Sequence, residues 1–278
     1  MTRPHPDASW GLVLLGAIAS FLAFENPLAR FHLLVLAVPW TSAVLASTAP
    51  DVGSALKRGW LSGWLGASAS LYWIAIPVHD YGFLPWVLAV PCPLLMGAVL
   101  GGYPALFCWG LRLAGRRFGP LALGAFAALA WTAIEALRGY LFSGFPWLPF
   151  AAALAPWPLA IQGASVVGAF GLSGLVAGCG VWLAGPGAAP RAAAALTLAL
   201  LAAHGAWSLA KPVETTGTFN AALIQGNIDQ AAKWDPQTLS RAVQTYVDLS
   251  KSVLASKPDL IVWPETALTF FVQEPSAQ

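Results

Sequence analysis

Charged side chains are scarce in this sequence of 278 residues. Asp, Glu, Lys and Arg make up 9% of it, whereas an ordinary soluble domain contains about 25%. A single soluble domain is therefore excluded, because its surface would lack the polar groups that water requires. The net charge is only +2, and no basic block or stripe occurs, so we expect no nucleic-acid partner.

Cysteine and histidine are also few, with three and four residues respectively. Cys92, Cys108 and Cys179 lie in apolar runs, and their spacing is not typical of metal or redox motifs. The histidines form no ligand pair such as HExxH. We predict that the chain binds no metal and no cofactor, and that its cysteines are small buried apolar residues.

Long uncharged runs are abundant instead. Stretches of at least 17 residues without Asp, Glu, Lys or Arg occur seven times, at 8–24, 31–50, 59–79, 81–111, 118–134, 139–190 and 192–210. Since a membrane-crossing helix needs about 20 such residues, we predict a polytopic all-α membrane domain of seven transmembrane helices. The stretch 139–190 begins with a proline-rich segment, which we interpret as interfacial or re-entrant, with the span starting near Leu159.

Lys and Arg are distributed unequally between the two sides of these spans, seven against three. Cytoplasmic loops hold the excess of positive residues, so we expect a cytoplasmic N-terminus. The odd number of spans then places the residues after Ala210 on the outer side of the membrane, which for a bacterial inner membrane is the periplasm. The seven are Arg3, Lys57, Arg58, Arg112, Arg116, Arg117 and Arg191, and the three are Arg30, Arg138 and Lys211.

The composition changes near Ala210. Residues 1–210 contain 14 charged side chains, about 7%, and residues 211–278 contain 12, about 18%. We therefore predict a transmembrane domain at 1–210 and the start of a second, periplasmic domain at 211–278.

The second segment has the pattern of a strand, a helix and a strand. Residues 219–225 form an apolar run typical of a buried strand, Asp235 and Pro236 are a helix-start signal, and 260–263 form a second apolar run. The predicted helix has an apolar face and ends at Lys257 and Pro258; the face comprises Leu239, Val243, Tyr246, Val247, Ser250, Val253 and Leu254.

Such a unit implies a parallel sheet, whose ligand sites lie beyond the carboxyl ends of the strands. Gln225, Asn227 and Glu265 occupy those positions. A carboxylate after a strand is usually only a solvated turn residue, so position alone does not make Glu265 catalytic.

Several motifs together resemble bacterial apolipoprotein N-acyltransferases, which belong to the nitrilase-like, carbon–nitrogen hydrolase superfamily. The motifs occur in the family's order over nearly the whole chain. They are Glu135–Gly139, Gly144–Leu148, Gln162–Gly163, Gly168–Ser173, Gly226–Ile228, Lys233–Asp235 and Trp263–Ala267.

The resemblance implies that residues 211–278 begin an α/β nitrilase-like (αββα) domain. It also implies N-acylation of the diacylglyceryl-cysteine at the N-terminus of an apolipoprotein, with a phospholipid as acyl donor and a cysteine thioester as intermediate. Nitrilase-like enzymes use Glu, Lys and Cys, and Glu265 matches the glutamate that acts as general base. The implied location is the bacterial inner membrane.

The sequence departs from this family pattern after Glu265. Only 13 residues follow it and no cysteine follows Cys179, so the expected Lys, Cys and final helix are absent. We interpret the chain as a truncated N-terminal portion that is inactive alone.

Further candidate substrate-binding residues are Glu135, Arg138, Trp147 and Trp234. Glu135 and Arg138 can pair at i, i+3, either as a functional intramembrane pair or as an interfacial pair that extends toward water. Trp147 lines an acyl-chain cleft, together with other aromatic residues of its segment, or belongs to an aromatic belt. Trp234 covers the mouth of the active site or has a purely structural role.

Three other functions are possible for a membrane protein with this sequence pattern. A transporter would predict charges in several spans or an inverted repeat, and the sequence shows neither. A membrane-tethered amidase or carbon–nitrogen hydrolase, and a membrane binding protein without catalysis, both stay open.

Overall fold

The structure, a computed structural model, describes residues 6–141, 144–212, 215–229, 236–265 and 267–268. The chain divides into two compact units, Met1–Lys211 and Pro212–Gln278. Regular structure in the described part of the first unit is helical, whereas the second contains strands and helix.

The first unit consists of helices of very different lengths. Short 3₁₀ helices occur at His32–Leu36, Tyr72–Ile74 and Phe150–Leu154. Its α-helices within the described residues are α1 (Pro6–Ala23), α2 (Ala37–Thr48), α3 (Val52–Ser70), α4 (Ala75–Asp80), α5 (Trp86–Ala89), α6 (Pro91–Leu100), α7 (Gly102–Ala114), α8 (Pro120–Tyr140), α9 (Pro158–Ile161), α10 (Ala164–Ala184) and α11 (Ala188–Ala210).

Four helical stretches in the described residues are long and apolar enough to cross a membrane. They are Trp86–Ala114, which joins α5 to α7, and helices α8, α10 and α11. A fifth results if α3 and the bent segment Tyr72–Asp80 form one span. Ser9–Ala23 and His32–Thr48 are shorter apolar helices. The count of seven spans therefore stays a prediction.

The start of α3 is fixed by a polar cap. Asp51 accepts hydrogen bonds from the backbone N–H and the hydroxyl of Ser54, both at 2.8 Å. These bonds favour the charged carboxylate and hold the pKa of Asp51 below its usual value. Because the helix begins at Val52, Lys57 and Arg58 lie within the first two turns of α3.

The uncharged run 59–79, predicted as one span, does not form one continuous helix. The chain bends by 54° between α3 and the segment Tyr72–Asp80. Pro77 explains why a new helix must start here: inside a continuous helix it would remove a hydrogen bond and clash with the preceding turn. In α4, which starts at Ala75, it lies in the first turn, where no N–H is needed.

The proline-rich segment contains no α-helix over its described residues 144–157, and its only helical element there is the 3₁₀ helix Phe150–Leu154. The predicted start of the next span near Leu159 is wrong. Pro158 begins the short helix α9 instead, because proline suits a first helical position. The long helix α10 begins at Ala164.

Glycines allow the helices of the first unit to pack closely. A Cβ atom at Gly101 would lie 2.8 Å from the Trp60 carbonyl oxygen and 2.9 Å from the Trp64 nitrogen of α3. A Cβ at Gly174 of α10 would collide with Thr132 of α8. Small residues at such contacts are typical of helix packing in membranes.

The second unit contains strand β1 (Ala221–Leu223), helix α12 (Pro236–Ser252), a 3₁₀ helix at Leu254–Ser256 and strand β2 (Leu260–Val262). The strands pair in parallel, with Leu223 opposite Val262. The predicted strand, helix, strand order and the parallel pairing are therefore confirmed. Asp235 and the side chain of Leu239, named in the helix prediction, lie outside the described residues.

The predicted burial of β1 is wrong. Leu223 is 77% exposed, although Ile224 directly after it is buried. Ile224 and Tyr246 of α12 form one small apolar cluster, which covers one face of the strand pair. No other element in the described part of this unit covers the opposite face. Leu254, predicted on the apolar helix face, is also exposed, because α12 ends at Ser252.

Candidate functional site

The carboxyl edge of the parallel strand pair brings three predicted site residues to one place in the fold. Since Leu223 pairs with Val262, the residues that follow both strands leave the sheet at the same edge. Gln225 and Asn227 follow β1, and Glu265 follows β2; all three are exposed. The edge therefore presents amide groups and a carboxylate to incoming molecules.

Hydrogen bonds fix the register of the two strands. The N–H of Asn220 donates to Oδ2 of Asp259, and the N–H of Asp259 donates to the carbonyl of Asn220, both at 2.8 Å. At the other end, Ile224 N–H donates to the Val262 carbonyl at 2.9 Å. These bonds therefore fix where the chain leaves β2 and enters the turn that contains Glu265.

Packing against α12 fixes the loops on either side of this edge. The Trp263 indole N–H donates to Oγ of Ser250 at 2.8 Å, and its ring stacks on Tyr246 with centroids 5.3 Å apart. A Cβ atom at Gly226 would lie 2.8 Å from the Tyr246 ring, so only glycine allows this close approach. Asn227 has a positive φ of 49°, a conformation that asparagine tolerates better than most residues.

Glu265 lies in a turn that the Ala267 N–H closes onto the Pro264 carbonyl at 3.2 Å. Its exposed carboxylate can accept a proton from a substrate group that reaches the edge. Trp234, predicted near the same edge, lies outside the described residues.

Glu135 is fully buried in the first unit. Its Oε1 atom accepts hydrogen bonds from the Trp131 indole N–H at 2.8 Å and from the Phe150 backbone N–H at 3.0 Å. The carboxylate therefore connects α8 to the 3₁₀ helix that follows the proline-rich segment.

Arg138 lies one turn further along α8, and its Nη2 is 3.9 Å from Glu135 Oε1. Its guanidinium lies 5.8 Å from the centre of the Tyr103 ring, and the residue is only 7% exposed. Both members of the pair are thus inside the helical unit. The alternative in which they extend toward water does not describe this structure.

Trp147 lies on the surface of the segment that Glu135 helps to hold. It is about half exposed and contacts Trp73 and Phe145, with ring centroids 5.2 and 6.0 Å apart. Leu148 has a positive φ of 58°, which marks a sharp change of direction after the tryptophan.

The aromatic residues of this segment do not form one wall. Phe150 is buried and stacks on Trp131 with centroids 4.5 Å apart, so it belongs to the core. Trp157 lines an apolar groove of about 560 Å³ between α9, α10 and α11. Trp147 therefore does not share a wall with Phe150 and Trp157. It is exposed and contacts Trp73 and Phe145.

Trp131 and Ser173 belong to the buried cluster around Glu135. Neither residue was predicted from the sequence. Ser173 Oγ accepts the N–H of Ala151 at 2.9 Å, next to the N–H that Glu135 accepts. The i, i+4 spacing of Trp131 and Glu135 was the available signal for Trp131. Ser173 lies in another helix, and no local pattern connects it to this cluster.

The described residues contain no group of three or more His, Cys, Asp or Glu that could hold a metal ion. Cys108 and Cys179 are buried in the helical unit and Cys92 is partly exposed.

Apolar helices long enough to cross a membrane, joined to a strand–helix–strand unit with a carboxylate at its edge, define a multi-pass membrane protein with an appended α/β segment. Residues 15–182 match the family described as the apolipoprotein N-acyltransferase N-terminal domain. The chain belongs to this family, and the resemblance noted in the sequence is confirmed.

Individual relatives carry the same family name. The apolipoprotein N-acyltransferase of Geobacter metallireducens is 33% identical over 283 residues, covering 97% of this chain and 53% of the relative. That of Caulobacter vibrioides is 34% identical, covering 98% and 52%. One from Pseudomonas aeruginosa is 36% identical, covering 77% and 43%. The chain thus spans about half the length of the curated relatives it matches.

Proposed function

We propose that this chain supplies the membrane domain and the general base of an enzyme that N-acylates the diacylglyceryl-cysteine of apolipoproteins. The observation that carries the proposal is the position of Glu265 at the carboxyl edge of a parallel strand pair, in a chain that belongs to the apolipoprotein N-acyltransferase family. The proposed acyl donor is a membrane phospholipid. The proposed location is the bacterial inner membrane.

The chemistry proceeds in two steps. In the first, Glu265 accepts the proton of a cysteine thiol and the thiolate attacks an ester carbonyl of the phospholipid. The ester C–O bond breaks, the leaving lysophospholipid oxygen takes the proton from Glu265, and the acyl chain remains on the cysteine as a thioester. In the second, the apolipoprotein amine loses a proton to Glu265 and attacks the thioester. An amide forms, the C–S bond breaks, and the released cysteine sulfur takes the proton from Glu265. Gln225, Asn227 and Trp234 are the proposed substrate contacts near Glu265.

We propose that the nucleophile of this scheme is not one of the three cysteines of the chain. Cys108 and Cys179 are buried among helices. Cys92 lies within the apolar stretch Trp86–Ala114, and no cysteine follows Cys179. We therefore place the reacting Cys, and the Lys that accompanies it in nitrilase-like enzymes, in sequence corresponding to the part of the relatives that this chain does not match. The 278-residue chain alone is proposed to be inactive.

Complementation of a bacterium depleted of its own apolipoprotein N-acyltransferase tests this proposal. We expect no growth with the 278-residue chain, since it lacks the nucleophile, and growth with a chimera that continues it with the remaining half of the Caulobacter vibrioides relative. Both proteins must be present in the membrane at equal amounts. Growth with the chain alone, or no growth with a stable chimera, would contradict the proposal.

We further propose seven spans with a cytoplasmic N-terminus. The two shorter apolar helices, Ser9–Ala23 and His32–Thr48, then cross the membrane along with the longer helices. The excess of Lys and Arg on one side supports this orientation, and it places the unit containing Glu265 in the periplasm.

Reporter fusions test the orientation. A fusion after Arg117 should report the cytoplasm, and a fusion after Lys211 should report the periplasm, because α8, α10 and α11 separate the two positions. Alkaline phosphatase and green fluorescent protein, each fused at both positions, provide opposite signals. The reverse pattern would exclude both the orientation and the periplasmic reaction.

A further inference from the structure

A pocket of about 60 Å³ lies among helices α1, α2, α3 and α8, and Arg138 forms part of its wall. Three serines from three other helices also line it, namely Ser20 of α1, Ser42 of α2 and Ser62 of α3. Most of the remaining wall is apolar and includes Phe150. The cavity thus brings hydroxyl groups of three helices to the buried cation of α8.

Arg138 carries hydrogen-bond donors that no described protein atom accepts. Its Nε and Nη2 atoms are buried and have no hydrogen-bond partner among the described residues. These two nitrogens share one edge of the planar guanidinium, the edge that binds acceptors with two N–H groups at once. A buried donor without an acceptor destabilises a protein, and more so when it is charged.

The volume of the cavity and the charges around it indicate which ligand fits. A buried water molecule needs about 10–15 Å³ of cavity volume and two to four polar partners, so this cavity accommodates more than one. Ser42 Oγ donates to the Val38 carbonyl at 3.0 Å, which leaves its lone pairs available to a water hydrogen. An anion is disfavoured, because the Glu135 carboxylate, 3.9 Å from Arg138 Nη2, already balances the guanidinium charge.

We propose that this cavity is a binding site for ordered water molecules that accept hydrogen bonds from Nε and Nη2 of Arg138 and connect them to the serine hydroxyls. Leu148 and Phe150 also line the cavity, so the water lies directly beneath the segment that carries Trp147. The water site therefore stabilises the charge pair that holds this segment. The water site does not involve Glu265 or the acyl-transfer chemistry.

X-ray hydroxyl-radical footprinting of the 278-residue chain in lipid nanodiscs tests the proposal, because bound water is converted to radicals that label only adjacent side chains. Phe150 is 5% exposed and lines the cavity, whereas Phe107 is 2% exposed and does not. We expect Phe150 to be labelled several-fold more than Phe107. Equal, low labelling of both would overturn the proposal.

A double variant tests whether the labelling of Phe150 depends on Arg138. Glu135→Gln with Arg138→Met removes both charges together, which avoids a lone buried charge if the single variants fail to fold. We expect the labelling of Phe150 to fall toward that of Phe107, and unchanged labelling would contradict a water site organised by Arg138.

An anomalous bromide peak in the cavity, in crystals grown with bromide, would show an anion there and also overturn the proposal.

Discussion

Replacement of Glu265 by Gln should lower the rate of acyl transfer by about 10²- to 10⁴-fold, which is the contribution typical of a general acid–base group. Gln keeps the size and hydrogen-bonding shape of the side chain but cannot accept the proton. The variant is made in the chimera with the Caulobacter vibrioides half, which supplies the proposed Lys and Cys. The measurement is the rate of amide formation on a diacylglyceryl-cysteine peptide.

A matched change in the same unit distinguishes lost chemistry from lost structure. Asp248 lies on the exposed side of α12, where it accepts a hydrogen bond from Gln244, one turn earlier in the helix. Asp248→Asn should therefore leave the rate nearly unchanged. If both variants slow the reaction equally, the lower rate of Glu265→Gln results from a disturbed structure of the whole unit, and the assignment of Glu265 as general base is wrong.

Replacement of Glu135 by Ala should destabilise the helical unit by about 3–5 kcal/mol, the cost typical of removing one partner of a buried ion pair. The Trp131 indole and the Phe150 N–H lose their acceptor, and Arg138 is left as an uncompensated buried charge. For a unit of this size the melting temperature should fall by roughly 6–20 °C. Thermal unfolding in detergent measures the effect.

Glu25 provides the exposed counterpart. It pairs with Arg30 at 3.2 Å, but both side chains are largely exposed, so Glu25→Ala should cost less than about 1 kcal/mol. Glu135→Gln should lie between the two, because it retains an acceptor for the Phe150 N–H but not the negative charge. Equal melting temperatures for Glu25→Ala and Glu135→Ala would contradict the structural role of Glu135.

Much of the local structure was predictable because its signals are local. Pro236 was part of the signal for the start of α12, and the apolar runs at 219–225 and 260–263 contain the two strands. The bend after α3 was not predicted. The run 59–79 is uncharged throughout, and Pro77 is a weak local signal for a new helix. Hydropathy alone does not show where such a run changes direction.

The candidate site was predictable where chain order determines position, and not where tertiary contacts do. Gln225 and Glu265 follow parallel strands, so topology alone brings them to one edge. The role of Glu135 depends instead on Phe150 and Ser173, which belong to other segments. The exposure of Leu223 was also missed, because an apolar strand does not show which of its faces is covered.

The most direct test of Glu265 as the general base is the rate of acyl-thioester formation in a single turnover of the chimera, followed by intact-protein mass spectrometry. Glu265 serves both steps in the proposed scheme, so Glu265→Gln should acquire the acyl chain slowly and should not accumulate the thioester. A variant that charges its cysteine at the normal rate would show that Glu265 only forms the turn after β2.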